Sequence, residues 1–199
     1  MKLENTKANF LKKTLILTLL VSGAAFAQTY PDRNIKILQG FAPGGNADAI
    51  ARAVGSEISK SVGQSVVVEA QAGAGGTIAA TTVAKAKPDG YTLLVSAGPF
   101  AINPSLFKTL PFDTKKDFVP VAQISSFASV LLVHESFPGK NLNDFIATAK
   151  NTKEPLAFAS AGSGTAQHLG MELLRSKLKL NLNHIPYKGG APAMNDLLA

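Results

Sequence analysis

The sequence contains no cysteine among its 199 residues. Disulfide frameworks, cysteine-ligated zinc sites and cysteine nucleophiles are therefore excluded. Charged residues are also sparse, at 17% of the chain, whereas hydrophobic residues make up 46%. This balance provides enough apolar material for a packed core and is not typical of a disordered protein.

Dense basic runs are absent as well. The first 27 residues contribute +3 to the formal net charge of +7, which leaves +4 for the remainder. The other lysines, such as Lys36, Lys60 and Lys85, stand singly and do not form the dense stripe that a nucleic-acid-binding surface needs. The sequence therefore predicts no nucleic acid partner. The small positive excess fits an anionic small ligand, but it also fits an ordinary surface.

The first 27 residues have the pattern of a secretory signal peptide. Lys12 and Lys13 precede an apolar run over residues 14–21, and residues 25–27 form an A-x-A cleavage sequence. The run is shorter than the ~20 apolar residues that a spanning helix needs, although an uncleaved membrane anchor is the alternative. We therefore predict that residues 1–27 are a signal peptide cleaved after Ala27. No cysteine follows the run, so a lipid tether is excluded.

Short apolar runs alternate with stretches of helical periodicity from residue 34 onward. Residues 34–38, 65–69 and 91–95 are strand candidates, and 156–159 begins a second series. One helix face is marked by Ala47, Ile50, Ala51, Val54 and Ile58. Continuous apolar runs suit strands that are covered on both faces, as in a parallel sheet between helices. The sequence therefore predicts an α/β fold.

The alternation is interrupted near residue 120. Residues 119–124 and 130–133 are two further strand candidates, and the strand–helix order restarts after them. We therefore predict a first lobe over residues 28–124 and a second lobe over residues 125–199. A helical pattern that begins near residue 193 reaches Ala199 without a terminating signal. This indicates an incomplete second lobe, with a frayed C-terminal helix as the alternative.

Glycine is concentrated in four clusters, each following a predicted strand and opening a predicted helix. They are loop 1 (residues 40–46), loop 2 (73–77), loop 3 (160–165) and loop 4 (187–190). In a parallel sheet these positions lie at the carboxyl ends of the strands, where ligands bind. Glycine lets the backbone approach a ligand, and unpaired N–H groups at a helix start attract anions. The alternative is that the glycines only allow tight turns into the helices.

The residues give little support for catalysis or metal binding. Ser163 is not in a G-x-S-x-G sequence, because Ala161 and Thr165 occupy the outer positions. The three histidines show no metal-ligand spacing. Asp48 lies in the first turn of a helix, where capping is expected. We predict no catalytic residue, no metal and no cofactor. The alternatives are an exported hydrolase or phosphate-handling enzyme that uses the Ser163 loop, and an exported scaffold without a ligand.

Eight stretches with distinctive sequences follow one another along the chain. They are FAPGGNAD (41–48), GAGGT (73–77), KPDGYTLL (87–94), NPSL (103–106), DFVPV (117–121), SAGSGT (160–165), HL (168–169) and HIPYKG (184–189). In this order and at these intervals they resemble the Bug (TctC) family, the periplasmic receptors of tripartite tricarboxylate transporters. Asn46 and residues 70–72 depart from the commoner family residues, which affects ligand identity more than fold.

The resemblance implies a two-lobed Venus-flytrap fold of the type II periplasmic-binding class, in a monomeric, periplasmic protein. It also implies that loop amides and bridging waters hold a small carboxylate, which is passed to membrane transporter subunits. Family members continue beyond the position of Ala199, so the resemblance further implies a C-terminally truncated chain. Carried over by motif, the implied ligand-binding residues are Phe41, Ala42, Gly44, Gly45, Asn46, Gly75, Gly76, Ser160, Gly162, Ser163, Gly164, Thr165, Tyr187 and Lys188.

Overall fold

Three of the apolar runs form a parallel sheet. The computed structural model describes residues 30–199. Its first three strands are β1 (Ile35–Gln39), β2 (Val66–Ala70) and β3 (Thr92–Val95). Strand β1 lies between the other two, with Ile37 opposite Val68 on one side and Leu93 on the other. Ile37 and Leu38 are fully buried, as expected for a central strand covered on both faces.

Three helices accompany this sheet. They are α1 (Asn46–Val62), α2 (Thr77–Ala84) and α3 (Pro99–Leu106). Helix α1 buries Ala51 against Ile37 and Val95. Gly55 lets α1 approach β2 closely, because a Cβ atom there would lie 3.2 Å from a methyl group of Val66. The three predicted strands of this region and the helices that became α1 and α2 are thus confirmed, whereas α3 was not predicted from the sequence.

A second, smaller parallel sheet forms after residue 155. Its two strands are β4 (Leu156–Ser160) and β5 (Leu182–Pro186), and its helices are α4 (Leu142–Asn151), α5 (Ala166–Leu178) and α6 (Gly190–Leu198). A core around Phe145, Phe158 and Leu182 lies between the strands and the helices. Helix α4 begins after Asn141, whose side chain accepts hydrogen bonds from two first-turn N–H groups.

The prediction of strands at residues 119–124 and 130–133 is wrong. Neither segment belongs to a sheet among the described residues. Val119 and Val121 are each 86% exposed, and Val130 is 73% exposed. A segment rich in apolar residues forms a strand only when a neighbouring strand pairs with it, and no described segment pairs with either of these.

Residues Arg33–Ala199 group into one compact unit. The boundary near residue 125 between two lobes stays a prediction, as does the signal peptide over residues 1–27, which lies outside the described residues. Within residues 30–199, none of the helices has the length and apolar character needed to cross a bilayer.

Candidate functional site

All four glycine loops lie at carboxyl ends of strands. Loops 1, 2, 3 and 4 follow β1, β2, β4 and β5, and they lead into α1, α2, α5 and α6. The backbone N–H of Ala42 in loop 1 donates to the carbonyl of Lys188 in loop 4 over 2.7 Å. The N–H of Tyr187 in loop 4 donates to the carbonyl of Ser160, where loop 3 begins. The first of these bonds connects loops from the two sheets, and the second extends the connection to loop 3.

Close backbone approach joins loop 1 to loop 2 and loop 2 to loop 3. A Cβ atom on Gly40 would lie only 2.4 Å from the Cα of Gly76, so loops 1 and 2 pack backbone against backbone. A Cβ atom on Gly75, whose φ is +60°, would lie 2.9 Å from the carbonyl oxygen of Ser163. Glycine is therefore required at both positions for close contact, and at Gly75 also for the turn. The four loops form one continuous cluster.

Loop 1 is held by a buried carboxylate. One oxygen of Asp48 accepts hydrogen bonds from the N–H of Gly44 at 3.1 Å and from Nε of Arg52 at 3.0 Å. The Arg52 hydrogen bond and then the Gly44 bond hold the pKa of Asp48 below its ordinary range. Asp48 therefore carries its charge at neutral pH and fixes the loop, which agrees with a supporting role.

Loop 3 has the same arrangement with a histidine. The N–H of Gly164 donates to Nδ1 of His168 at 3.1 Å, again four residues along the chain. The His168 ring stacks on His184 with centroids 4.0 Å apart, and Nε2 of His184 lies 2.6 Å from Oγ of Ser160. Burial, followed by the proximity of His168, lowers the pKa of His184. The sequence had not placed His184 in this cluster.

Several predicted ligand-binding residues already have protein partners. The N–H of Phe41 donates to the side chain of Gln39, and the N–H of Gly162 donates to Oγ of Ser160. The hydroxyl of Tyr187 donates to Asp196 of α6, which raises the pKa of the phenol. These groups build the loops and hold them in place.

Other backbone N–H groups in the cluster have no hydrogen-bond acceptor within the described part of the protein and can donate to a ligand. Within residues 30–199, those of Gly45, Gly75 and Ser163 donate to no protein acceptor. They belong to loops 1, 2 and 3, so three loops each present a backbone donor. The predicted residues Gly76, Thr165 and Asn46 lie beside them at the starts of α2, α5 and α1. The structure thus brings the predicted residues together in four contacting loops.

Three buried polar atoms in the described part of the chain lack a hydrogen-bond partner. They are Nε2 of Gln39, Oδ1 of Asp48 and Oδ1 of Asn103. All three residues use another side-chain atom to hold a glycine loop or the start of its helix. A cavity of about 20 Å³ beside loops 1 and 2 is lined in part by Asn103. Sequence reasoning missed Gln39 and Asn103, because neither residue type signals a site at an isolated position.

A family model described as the tripartite tricarboxylate transporter family receptor, TctC, matches residues 50–199. Among curated proteins, a UPF0065 protein of Bordetella pertussis is 40% identical over 187 residues, which is 92% of this chain and 57% of that protein. Protein BugT of the same organism is 38% identical over 185 residues, again 92% of this chain and 57% of the relative. The chain thus spans little more than half the length of these relatives.

Solved structures of the same kind also match. The R. palustris protein Rpa4515, determined with adipate, superposes with a TM-score of 0.81 at 33% identity, over 84% of this chain and 56% of that one. MatC from Rhodopseudomonas palustris, determined with bound malate, superposes with a TM-score of 0.75 at 35% identity, over 84% and 57% respectively. The α/β fold is therefore that of periplasmic binding proteins, and these neighbours bind solutes; they are not enzymes.

Proposed function

The chain belongs to the TctC family of tripartite tricarboxylate transporter receptors, and from that premise we propose that it captures a small carboxylate and presents it to the membrane subunits of such a transporter. The observation that carries the proposal is the convergence of four glycine loops, in which the backbone N–H groups of Gly45, Gly75 and Ser163 have no protein acceptor among the described residues. An ionised carboxylate only accepts hydrogen bonds, so a cluster of backbone donors matches its chemistry.

The magnitudes indicate how the ligand is held. Each helix start contributes about 0.3–1 kcal/mol to an exposed anion, whereas micromolar binding needs about 8 kcal/mol. Helix ends alone are therefore insufficient. Direct hydrogen bonds from Gly45, Gly75 and Ser163 to a desolvated carboxylate supply the larger part. The other predicted residues of the four loops shape the site around these donors.

Adipate and malate in two structural relatives favour dicarboxylates among the candidate ligands. We further propose that residues 28–124 and 125–199 contribute to two lobes, because the two sheets form on either side of residue 125. Export to the periplasm, cleavage after Ala27 and a monomeric state complete the proposal. The signal-peptide pattern and the periplasmic proteins among the solved relatives support the export.

Thermal unfolding of the purified protein with a panel of mono-, di- and tricarboxylates tests the proposal. At a hundredfold excess over Kd, a true ligand adds about 2.7 kcal/mol to the free energy of unfolding. Gly75→Ala separates loop 2 from loop 3 and should abolish this shift. Gly170→Ala is the matched control, since a Cβ atom there meets nothing within 4 Å and the residue lies in α5.

Two results would contradict the proposal. If no carboxylate in the panel shifts the transition of the wild-type protein, the loops do not form a carboxylate site and the scaffold alternative gains support. If Gly75→Ala responds to a ligand as Gly170→Ala does, that ligand binds elsewhere. Ser163→Ala retains the backbone N–H and should keep most of the affinity.

A further inference from the structure

Asn103 is almost completely buried in α3, at 1% exposure, yet its two polar atoms are used unequally. Its Nδ2 atom donates to Oγ1 of Thr77 at 2.9 Å and lies 3.5 Å from the carbonyl oxygen of Gly75. A backbone carbonyl can only accept, so the amide is oriented with its nitrogen towards Gly75. The Oδ1 atom is then left without a donor among the described residues.

The unpaired Oδ1 atom lies where loops 2 and 3 meet. A Cβ atom on Gly164 would be 3.3 Å from it, and one on Gly75 would be 3.6 Å from it. Asn103 also lines the cavity of about 20 Å³, together with Gly75, Phe41 and Ser96. A volume of about 10–15 Å³ is enough for one water, so the cavity accommodates one water or one small polar substituent.

Buried acceptors without a donor are rare in native proteins and point to a missing water, ion or ligand group. The unpaired N–H groups of Gly75 and Ser163 belong to the same two loops. Oδ1 of Asn103 lies beside Gly75 and Gly164 of these loops, so a carboxylate bound there is adjacent to the Asn103 amide. A donor on the carbon next to that carboxylate is the group that Oδ1 lacks.

We propose that Oδ1 of Asn103 accepts a hydrogen bond from the ligand, so that the site prefers 2-hydroxy or 2-amino carboxylates to plain carboxylates of equal length. This inference rests on the proposed carboxylate-binding function. When a plain carboxylate binds, a water that takes the place of the missing donor satisfies Oδ1 at the cost of its immobilisation. The preference is therefore moderate, on the order of tenfold.

The test compares two pairs of acids that differ only in a hydroxyl group: malate with succinate, and lactate with propionate. Calorimetric titration of the purified protein should give about tenfold tighter binding of the hydroxy acid in the pair whose length fits the site. Asn103→Leu, which is similar in size and has no polar side-chain atom, should remove this difference. Asn103→Asp retains an acceptor oxygen and should preserve the order of affinities, even as its charge weakens both.

Equal affinity for both members of each bound pair in the wild-type protein would overturn the inference and leave the carboxylate receptor in place. The inference also fails if Asn103→Leu weakens both members equally, because a purely structural residue has that effect. If no acid binds at all, the proposed function and this inference fail together. Should Asn103→Leu not fold, the wild-type ratio and the ratio of Asn103→Asp decide: loss of the preference in Asn103→Asp overturns the inference.

Discussion

The backbone N–H of Ala42 donates to the carbonyl of Lys188 over 2.7 Å, and this bond joins a loop of the first sheet to a loop of the second. Gly189 follows directly, with a φ of +149°, and packs against the backbone N–H of Ala42. In this arrangement the N–H of Ala42 is not available to a ligand. Any ligand that binds with this contact intact must use neighbouring donors such as Gly45.

Gly189→Ala should destabilise the protein and weaken ligand binding. A Cβ atom there would lie 3.0 Å from the N–H nitrogen of Ala42 and 3.3 Å from its Cβ, and the backbone conformation is one that alanine rarely adopts. The expected loss in the free energy of unfolding is above about 1 kcal/mol. Chemical denaturation measures it.

Gly190→Ala provides the matched control at the next position. A Cβ atom there meets nothing within 4 Å, and the residue begins α6. Its stability should equal or slightly exceed that of the wild type. If the two variants unfold at the same denaturant concentration, the packing of Gly189 against Ala42 is not what positions loop 4.

Asp48→Ala should cost about 2 kcal/mol of stability at neutral pH, because it removes charged hydrogen bonds to Gly44 and Arg52 in a buried site. The pKa of Asp48 is held below its ordinary 3.8, chiefly by Arg52. The carboxylate therefore contributes its full stability above pH 3.8 and loses it as pH falls through the lowered pKa. Urea unfolding between pH 7 and pH 3 checks both effects.

Two controls accompany this prediction. Asp48→Asn cannot titrate, so its stability should vary less below pH 4 than that of the wild type. Glu57→Gln removes an exposed ion pair with Lys60 and should change stability by less than about 1 kcal/mol. Parallel acid profiles for the wild type and Asp48→Asn would show that this carboxylate is not a stabilising charge.

Local patterns predicted much of the fold. The apolar run at residues 34–38 predicted a buried strand, and it forms β1 at the centre of the first sheet. An apolar run of this kind indicates burial on both faces whichever strands lie beside it. The glycine clusters were placed at helix starts for a similar reason, since a turn into a helix is a short-range requirement. Both features depend on residues close together in the chain.

Features that depend on distant partners were not predictable. Residues 119–124 have strand composition, but whether they pair depends on a neighbouring strand that the local sequence does not specify. The contact between Gly75 and Ser163 joins loops of two different sheets, and the unpaired oxygen of Asn103 lies beside that contact. A single asparagine in an apolar helix indicates neither the contact between the two loops nor the unpaired oxygen beside it.

His184→Gln should reduce the dependence of stability on pH between pH 7.5 and pH 5. Burial lowers the pKa of His184 below its ordinary 6.5, with a further contribution from His168 and an opposing one from Glu172. The unfolded chain therefore binds a proton more readily than the folded one below pH 6.5, and stability falls as the pH decreases. Denaturant unfolding at several pH values measures the slope.

The control for this prediction is His134→Gln, since the His134 ring bonds to nearby Ser136 in a turn. Its stability profile should follow that of the wild type. A wild-type slope that survives in His184→Gln would assign the acid sensitivity to another group. A wild-type protein whose stability rises as the pH drops below 6.5 would contradict a lowered pKa at His184.

Val121→Thr should leave stability within about 0.5 kcal/mol of the wild type, because Val121 is 86% exposed and contributes little to the core. Ile37→Ala, at a position that is 1% exposed in the central strand, should cost about 2–5 kcal/mol. Residues 119–124 and 35–39 are both rich in apolar residues, so a difference in stability loss between the two variants reports the difference in burial. Chemical denaturation of both variants gives the comparison. A loss at Val121 close to that at Ile37 would mean that residues 119–124 pair as a buried strand in solution.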